Sequence, residues 1–176
     1  MQKGRFMDQL NPQLQRLLNA YSHICDLEGP VSAEGITFPA TAHYYLRDEN
    51  YLISKQHVLS AVEQHEYLYF YTADHLHADD LREIADLAKR LGLARVKPHK
   101  DHMFSNIGLI LLANTIDPEA AKLIQKTRFR KNYALTFHGW TEFQLAALDV
   151  TNHCFYSNPA GKEARKILEQ NFAPKK

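Results

Sequence analysis

The alternation of apolar and polar positions along this chain changes period several times, and each change predicts an element. Leu10, Leu14, Leu17, Leu18, Tyr21 and Ile24 recur at helical spacing, with Asn11 as a cap and Pro12 at the first helical position. The pattern stops before Gly29-Pro30, and residues 29–38 read as a loop long enough to cross the domain. Residues 41–46 are aromatic and β-prone; with the polar turn 47–50 and the segment 51–54 they predict a hairpin. The run 58–72, VLSAVEQHEYLYFYT, places Val58, Val62, Leu68 and Phe70 on one face and Leu59, Ala61, Tyr67, Tyr69 and Tyr71 on the other. Apolar residues on both faces predict a strand covered on both sides. Glu63-Gln64-His65-Glu66 interrupts that run, as a bulge, a turn that splits it in two, or a site.

Helical spacing returns at 78–91, where Leu81, Ile84, Ala85, Ala88 and Leu91 form a stripe. Asp79 and Asp80 open this helix, Lys89 and Arg90 close it, and Gly92 follows in the place of a C′ residue. The most apolar run of the chain, 107–113, predicts a buried central strand over 104–113, entered through the charged loop His99-Lys100-Asp101-His102. Asp117 and Pro118 then start a third helix that ends by Thr127. Residues 129–137, 140–149 and 154–157 predict a meander that turns at His138-Gly139 and at 151–153, and 162–171 predicts a last helix. Two strand-then-helix units followed by a meander predict an α/β (mixed α+β) class. The expected architecture is a single layered domain over 1–176: a mixed β-sheet with a C-terminal antiparallel meander and about four helices packed on it. The ends, 1–10 and 173–176, are expected to fray.

Charge and composition narrow the function classes. The chain has 176 residues, 45% of them hydrophobic, enough for one domain with a real core. Its 21 basic and 20 acidic residues leave a formal charge of +1, which argues against a nucleic-acid partner unless the charge is segregated. No apolar run approaches the ~18 residues of a membrane span, and the polar start MQKGRFMDQLNPQ lacks the apolar core of a signal peptide. Cys25 and Cys154 are far apart and outside any metal-ligand spacing, so free thiols in the cytoplasm are expected. P-loop, GxGxxG, GxSxG and HExxH motifs are all missing, and no cofactor or metal is expected from motifs.

Four polar groupings are candidates for chemistry. His99 and His102, with Lys100 and Asp101, sit on a predicted loop, where their three-residue spacing does not aim both rings at one metal as a helix would. A solvated turn, or an anion contact through Lys100 and the imidazoles, competes with a metal there. Glu63 and His65 share a face of an extended strand and Glu66 opposes them. A carboxylate and an imidazole suffice for acid–base work or for two metal ligands, against the plainer reading of a polar turn. His138 beside Trp140, the only tryptophan, lines a pocket for a planar ligand or forms a hairpin turn with Trp140 as a core anchor. Arg128 and Arg130 share a strand face and suit a small anion, or simply guard a solvated sheet edge.

The string VKPHKDHMFSNIGLILLANTIDPEAAKLIQKTRFRKNY, continued by FHGWTEFQLAALDV and YSNPAGKEARKILE, resembles a family of small bacterial proteins that carry a domain of unknown function. The resemblance extends over about 45–168 and implies a bacterial cytoplasmic protein, with no activity or site to transfer. The element order over 12–113 is also similar to the restriction-endonuclease-like fold, whose Glu-x-Lys-type metal pair would fall near Glu63-Gln64-His65 or Glu66-Tyr67-Leu68, here without the lysine. Two function classes follow. One is a non-enzymatic binding or regulatory domain, compatible with a homodimer through a sheet edge or an aromatic face. It requires that no acid–histidine cluster form. The other is a metal-dependent hydrolase or nuclease-like enzyme that uses Glu63, His65 or Glu66 with His99 or His102. It requires those side chains to meet within about 4–6 Å.

Overall fold

Burial on both sides of two long strands dictates the architecture. In the computed structural model, which describes residues 11–48 and 62–174, Ile107, Leu109, Ile110 and Leu111 are at most 1% exposed. Side chains alternate across a strand, so covering all of them takes a layer on each face of the sheet. Helix α1 (Pro12–Tyr21) is followed by β1 (Asp26–Glu28), β2 (Val31–Ala33), β3 (Ile36–Phe38), β4 (Ala40–Asp48) and β5 (Val62–Leu76). Then come α2 (Ala78–Arg95), β6 (His102–Ile116), α3 (Pro118–Lys126), β7 (Arg130–Asn132), a short 3₁₀ turn (Ala134–Thr136), β8 (Trp140–Asp149), β9 (Cys154–Ser157) and α4 (Lys162–Phe172).

Among the described residues the main sheet has seven strands in the order β1-β4-β5-β6-β8-β7, with β9 also on β8. β5, β6 and β8 run parallel, β4 is antiparallel to β5, and β7 and β9 are antiparallel to β8. Among the described residues, the expected mixed sheet with a C-terminal meander and four helices is what forms. Helices α2 and α3 cover Tyr67, Tyr69, Ile107, Leu109, Phe143 and Leu145 on one face. Helices α1 and α4 cover Leu68, Phe70, Ile110, Leu112, Ala146 and Leu148 on the other. Each leucine, isoleucine or phenylalanine among them stabilises the fold by roughly 1.5–3 kcal/mol on burial.

Several local expectations are corrected. Residues 29–38 hold the β2–β3 hairpin, closed by Glu34 and Gly35 at φ 52° and 78°, the signs a two-residue reversal needs. The hairpin packs Phe38 edge-on against Tyr69 at 5.2 Å, which a loop reading had no means to register. α1 stops at Tyr21, so Ile24, expected in its stripe, is 55% exposed. α2 continues through Gly92 to Arg95. Gly92 is a contact glycine, because a Cβ there would lie 2.5 Å from Ile107 Cγ2. Glu63–Glu66 does not split β5, and the strand expected over 129–137 shrinks to β7. After Asn132 the chain makes the 3₁₀ turn, with positive φ at Ala134, Leu135 and Thr136, and no longer pairs with β8. The second half of the hairpin expected at 51–54, and the apolar positions Leu10, Val58, Leu59 and Ala61, lie outside the described residues.

Candidate functional site

Helix α2 ends at Arg95, whose guanidinium lies over Tyr67 at 4.4 Å. Strand residues that precede Tyr67 on that face of β5, His65 and Glu63, therefore extend beyond the helical cover. Antiparallel pairing sets His43 opposite Tyr67, Tyr45 opposite His65 and Arg47 opposite Glu63. Two strands thus contribute one polar face, and the loop after α2 brings His99 onto it.

The contacts are continuous. His43 Nε2 is 3.1 Å from His65 Nδ1, and His65 Nε2 is 4.0 Å from Glu63 Oε2. The same oxygen is 2.9 Å from His99 Nε2. Because His99 Nδ1 accepts the Asp101 N–H at 3.3 Å, neutral His99 carries its proton on Nε2 and donates it to Glu63. Arg47 Nη1 lies 3.5 Å from Glu63 Oε1. The His43 ring stacks on Tyr67 at 4.9 Å, Tyr45 tilts against His65 at 4.8 Å, and Arg95 is held by a two-pronged ion pair to Glu28. Glu63 is the enclosed member, its side chain 13% exposed against 43% for His99.

His102 belongs to a layer beneath. β6 carries one extra residue against β5, so that Glu63 faces His102 while Gln64 faces Phe104. Met103 is the bulged residue, and the shift puts His102 on the same face as Ser105. His102 is 3% exposed; its Nδ1–H donates to the His138 carbonyl at 2.7 Å and its Nε2 accepts from Ser105 Oγ at 2.9 Å. This is a satisfied core histidine, and it corrects the placement of His102 on a solvated loop. Ser105, fully buried, is closed to a substrate as a nucleophile.

Burial, and for His43 the neighbouring Arg95 charge, hold His43 and His65 below the usual histidine range; the His43 ring adds to the lowering at His65. Both are therefore neutral at pH 7. An unfolded chain takes up protons at these positions below about pH 6.5, and the folded chain resists doing so. Stability is thus fully present above that value and lost as pH falls through it. The melting temperature is expected to drop between pH 7 and pH 5.5, and a His43→Gln/His65→Gln double variant to flatten that drop. An unchanged slope in the double variant contradicts the assignment.

The other candidates separate from this site. Glu66 faces the opposite side of β5, toward Tyr21 and Cys25, and desolvation holds its carboxyl above the usual range. Burial likewise pushes the Cys25 thiol up to about 12. Trp140 is also on that opposite face, stacked on Phe104 at 5.6 Å and covered by Arg130 at 4.7 Å. His138 contributes its carbonyl to His102, and Lys100 is exposed. Arg128 precedes β7 and donates to the Gln125 and Thr127 carbonyls at the end of α3. Arg130 pairs with Glu142 at 3.2 Å. Both arginines border an open cleft of ≈ 370 Å³ with their charges already engaged.

Sequence reasoning did not single out His43, Tyr45 or Arg95. The available signal was parity, since His43-x-Tyr45-x-Arg47 and Glu63-x-His65-x-Tyr67 each put polar and aromatic residues on one face of a strand. Among the described residues no helix is long and apolar enough to cross a membrane. No curated protein and no solved structure matches the chain. A family model does match, over residues 10–170, nearly the whole chain, and the protein belongs to that family, the domain of unknown function DUF8052.

Proposed function

We propose that the face formed by His43, Glu63, His65 and His99 is the acid–base centre of a hydrolase-type enzyme of the bacterial cytoplasm, acting on a small polar substrate. The observation that supports it is the convergence on Glu63 Oε2 of two imidazoles, His99 at 2.9 Å and His65 at 4.0 Å. A binding or regulatory domain does not need such a cluster, whereas acid–base chemistry does. Glu63 is the proton acceptor, hydrogen-bonded to His99 at 2.9 Å, and His65, 4.0 Å away, with the half-buried His43 behind it, lines the same face. Tyr45, 47% exposed beside His65, is a surface on which a planar substrate can rest. The geometry favours proton transfer over metal ligation here: the donor atoms of Glu63, His65 and His99 are not among those that all lie within 4.8 Å of one another.

The reading is tested with p-nitrophenyl acetate, p-nitrophenyl phosphate and bis(p-nitrophenyl) phosphate as probes, with and without divalent metal. Glu63→Gln is expected to lower kcat by about 10²–10⁴-fold while the melting curve stays cooperative. Turnover that is the same in Glu63→Gln, or no turnover of any probe, removes the enzyme reading. A binding or regulatory domain that pairs as a homodimer is then the better account. Its support is the tip of the β7–β8 turn, where Leu135 is 88% and Phe137 80% exposed, more apolar surface than an isolated tip requires.

A further inference from the structure

A second cluster lies at the other end of the same strands. His75 is the penultimate residue of β5 and His77 precedes α2; Asp117 follows β6 and precedes α3. The parallel register sets His75 beside Thr115 and Leu76 beside Ile116, and the Asp117 N–H donates to the Leu76 carbonyl at 3.1 Å. The backbone therefore holds these residues together at the carboxyl end of parallel strands, the edge where α/β sheets carry ligands.

We propose that His75, His77 and Asp117 form a binding site for a divalent transition metal of the zinc class. Among the described residues, theirs is the set of three donors whose atoms all lie within 4.8 Å of one another. Asp117 Oδ1 is 2.8 Å from His75 Nε2 and Oδ2 is 2.7 Å from His77 Nδ1. Two imidazoles and one carboxylate suit zinc, cobalt or nickel; magnesium and calcium prefer all-oxygen sites. All three side chains reach solvent, which leaves room for water or a substrate atom as a further ligand.

Two further observations set this cluster apart from an ordinary surface ion pair. His75 Nδ1 is hydrogen-bonded to Thr115 Oγ1 at 2.5 Å. A hydroxyl donates or accepts by rotating. With no metal it donates to Nδ1 while Nε2–H faces Asp117; with a metal it accepts from Nδ1–H and frees the Nε2 lone pair. That is the orienting partner a metal-binding histidine needs. For His77 the proton moves from Nδ1 to the outward Nε2. Second, Asp117 occupies the cap position of α3, yet its carboxylate makes no cap hydrogen bond and turns to the two rings instead. The amino ends of α2 and α3 both point at the site and work against a cation, so the single negative charge of Asp117 is what makes it attractive.

The proposal is independent of the acid–base reading, because its residues are twelve positions along β5 from Glu63 to His75. The experiment is zinc titration of the full chain, without a histidine tag, by calorimetry, with Co²⁺ absorption as a second readout. One zinc per chain is expected. His77→Ala and Asp117→Asn are each expected to weaken it at least tenfold, while His65→Ala binds as the parent does. Binding is expected to weaken in acid, since protons compete with the metal for the same lone pairs. No zinc uptake by the parent chain overturns the proposal. So does parent-like affinity in both His77→Ala and Asp117→Asn, or a loss confined to His65→Ala, which puts the metal at the Glu63 cluster.

Discussion

Asn158→Ala is expected to destabilise the fold by about 3 kcal/mol, the cost of leaving two buried backbone groups without partners and weakening two more. Asn158 is 1% exposed. Its Oδ1 accepts from Leu145 N at 3.0 Å and Gly161 N at 2.8 Å, and its Nδ2 donates to the Phe143 carbonyl at 2.8 Å and the Thr127 carbonyl at 3.3 Å. One amide thus joins β8, the end of α3 and the start of α4. Alanine leaves the Leu145 N–H and the Phe143 carbonyl without these partners in the interior, while Gly161 N–H keeps the Asn158 carbonyl and the Thr127 carbonyl keeps Arg128. In a chain of this length the loss corresponds to roughly 10 °C in melting temperature. Asn158→Asp is the sharper control: it keeps the shape but faces a carboxylate toward two carbonyls, and it is expected to cost at least as much at pH 7. Urea denaturation with an unchanged m-value measures both, and a loss below about 1 kcal/mol in Asn158→Ala contradicts the account.

Gly139→Ala is expected to cost a comparable amount, about 3 kcal/mol, for two separable reasons. Gly139 has φ +75°, and a Cβ on it would overlap the Met103 carbonyl oxygen and lie 2.7 Å from the His102 carbonyl oxygen. Backbone has no rotamer with which to retreat. The turn must therefore lift away from β6, and the His138 carbonyl that accepts from His102 Nδ1 moves with it. Gly35 provides the control. It has φ +78° but nothing within 4 Å of its Cβ position, so Gly35→Ala carries only the conformational part, about 1 kcal/mol. Equal losses in the two variants remove the packing explanation. A changed His102 ring signal in the NMR spectrum of Gly139→Ala, and not of Gly35→Ala, supports it.

The elements that periodicity located were the ones whose pattern is set locally. Helix α1 begins where Asn11 and Pro12 place it, with the Asn11 side chain accepting from Leu14 N at 2.7 Å. The central strand is buried along 107–113 because that run is apolar on both faces. Expectations failed where a distant residue decides the local form. Gly92 has the sequence context of a helix end, yet the helix continues, since the approach of Ile107 uses the missing Cβ. The apolar content of 129–137 reads as a strand, yet pairing ends at Asn132 because the next residues leave the sheet to close against β6.

The candidate site shows the same division. That Glu63 and His65 share a strand face, with Glu66 opposed, was readable from residue order alone, because side-chain alternation is a property of the extended backbone. So were the layered class, the mixed sheet and the helices of the described residues, since amphipathic stripes and two-faced strands have few ways to bury their apolar surface. Which histidines meet depends instead on how distant segments pack. His99 reaches Glu63 across 36 positions. His102 is turned inward by one bulged residue that a linear pattern does not reveal. His75 and His77 acquire Asp117 through the parallel register of β5 and β6. Strand register is set by the sum of core contacts over the whole sheet, so no local window of sequence contains it.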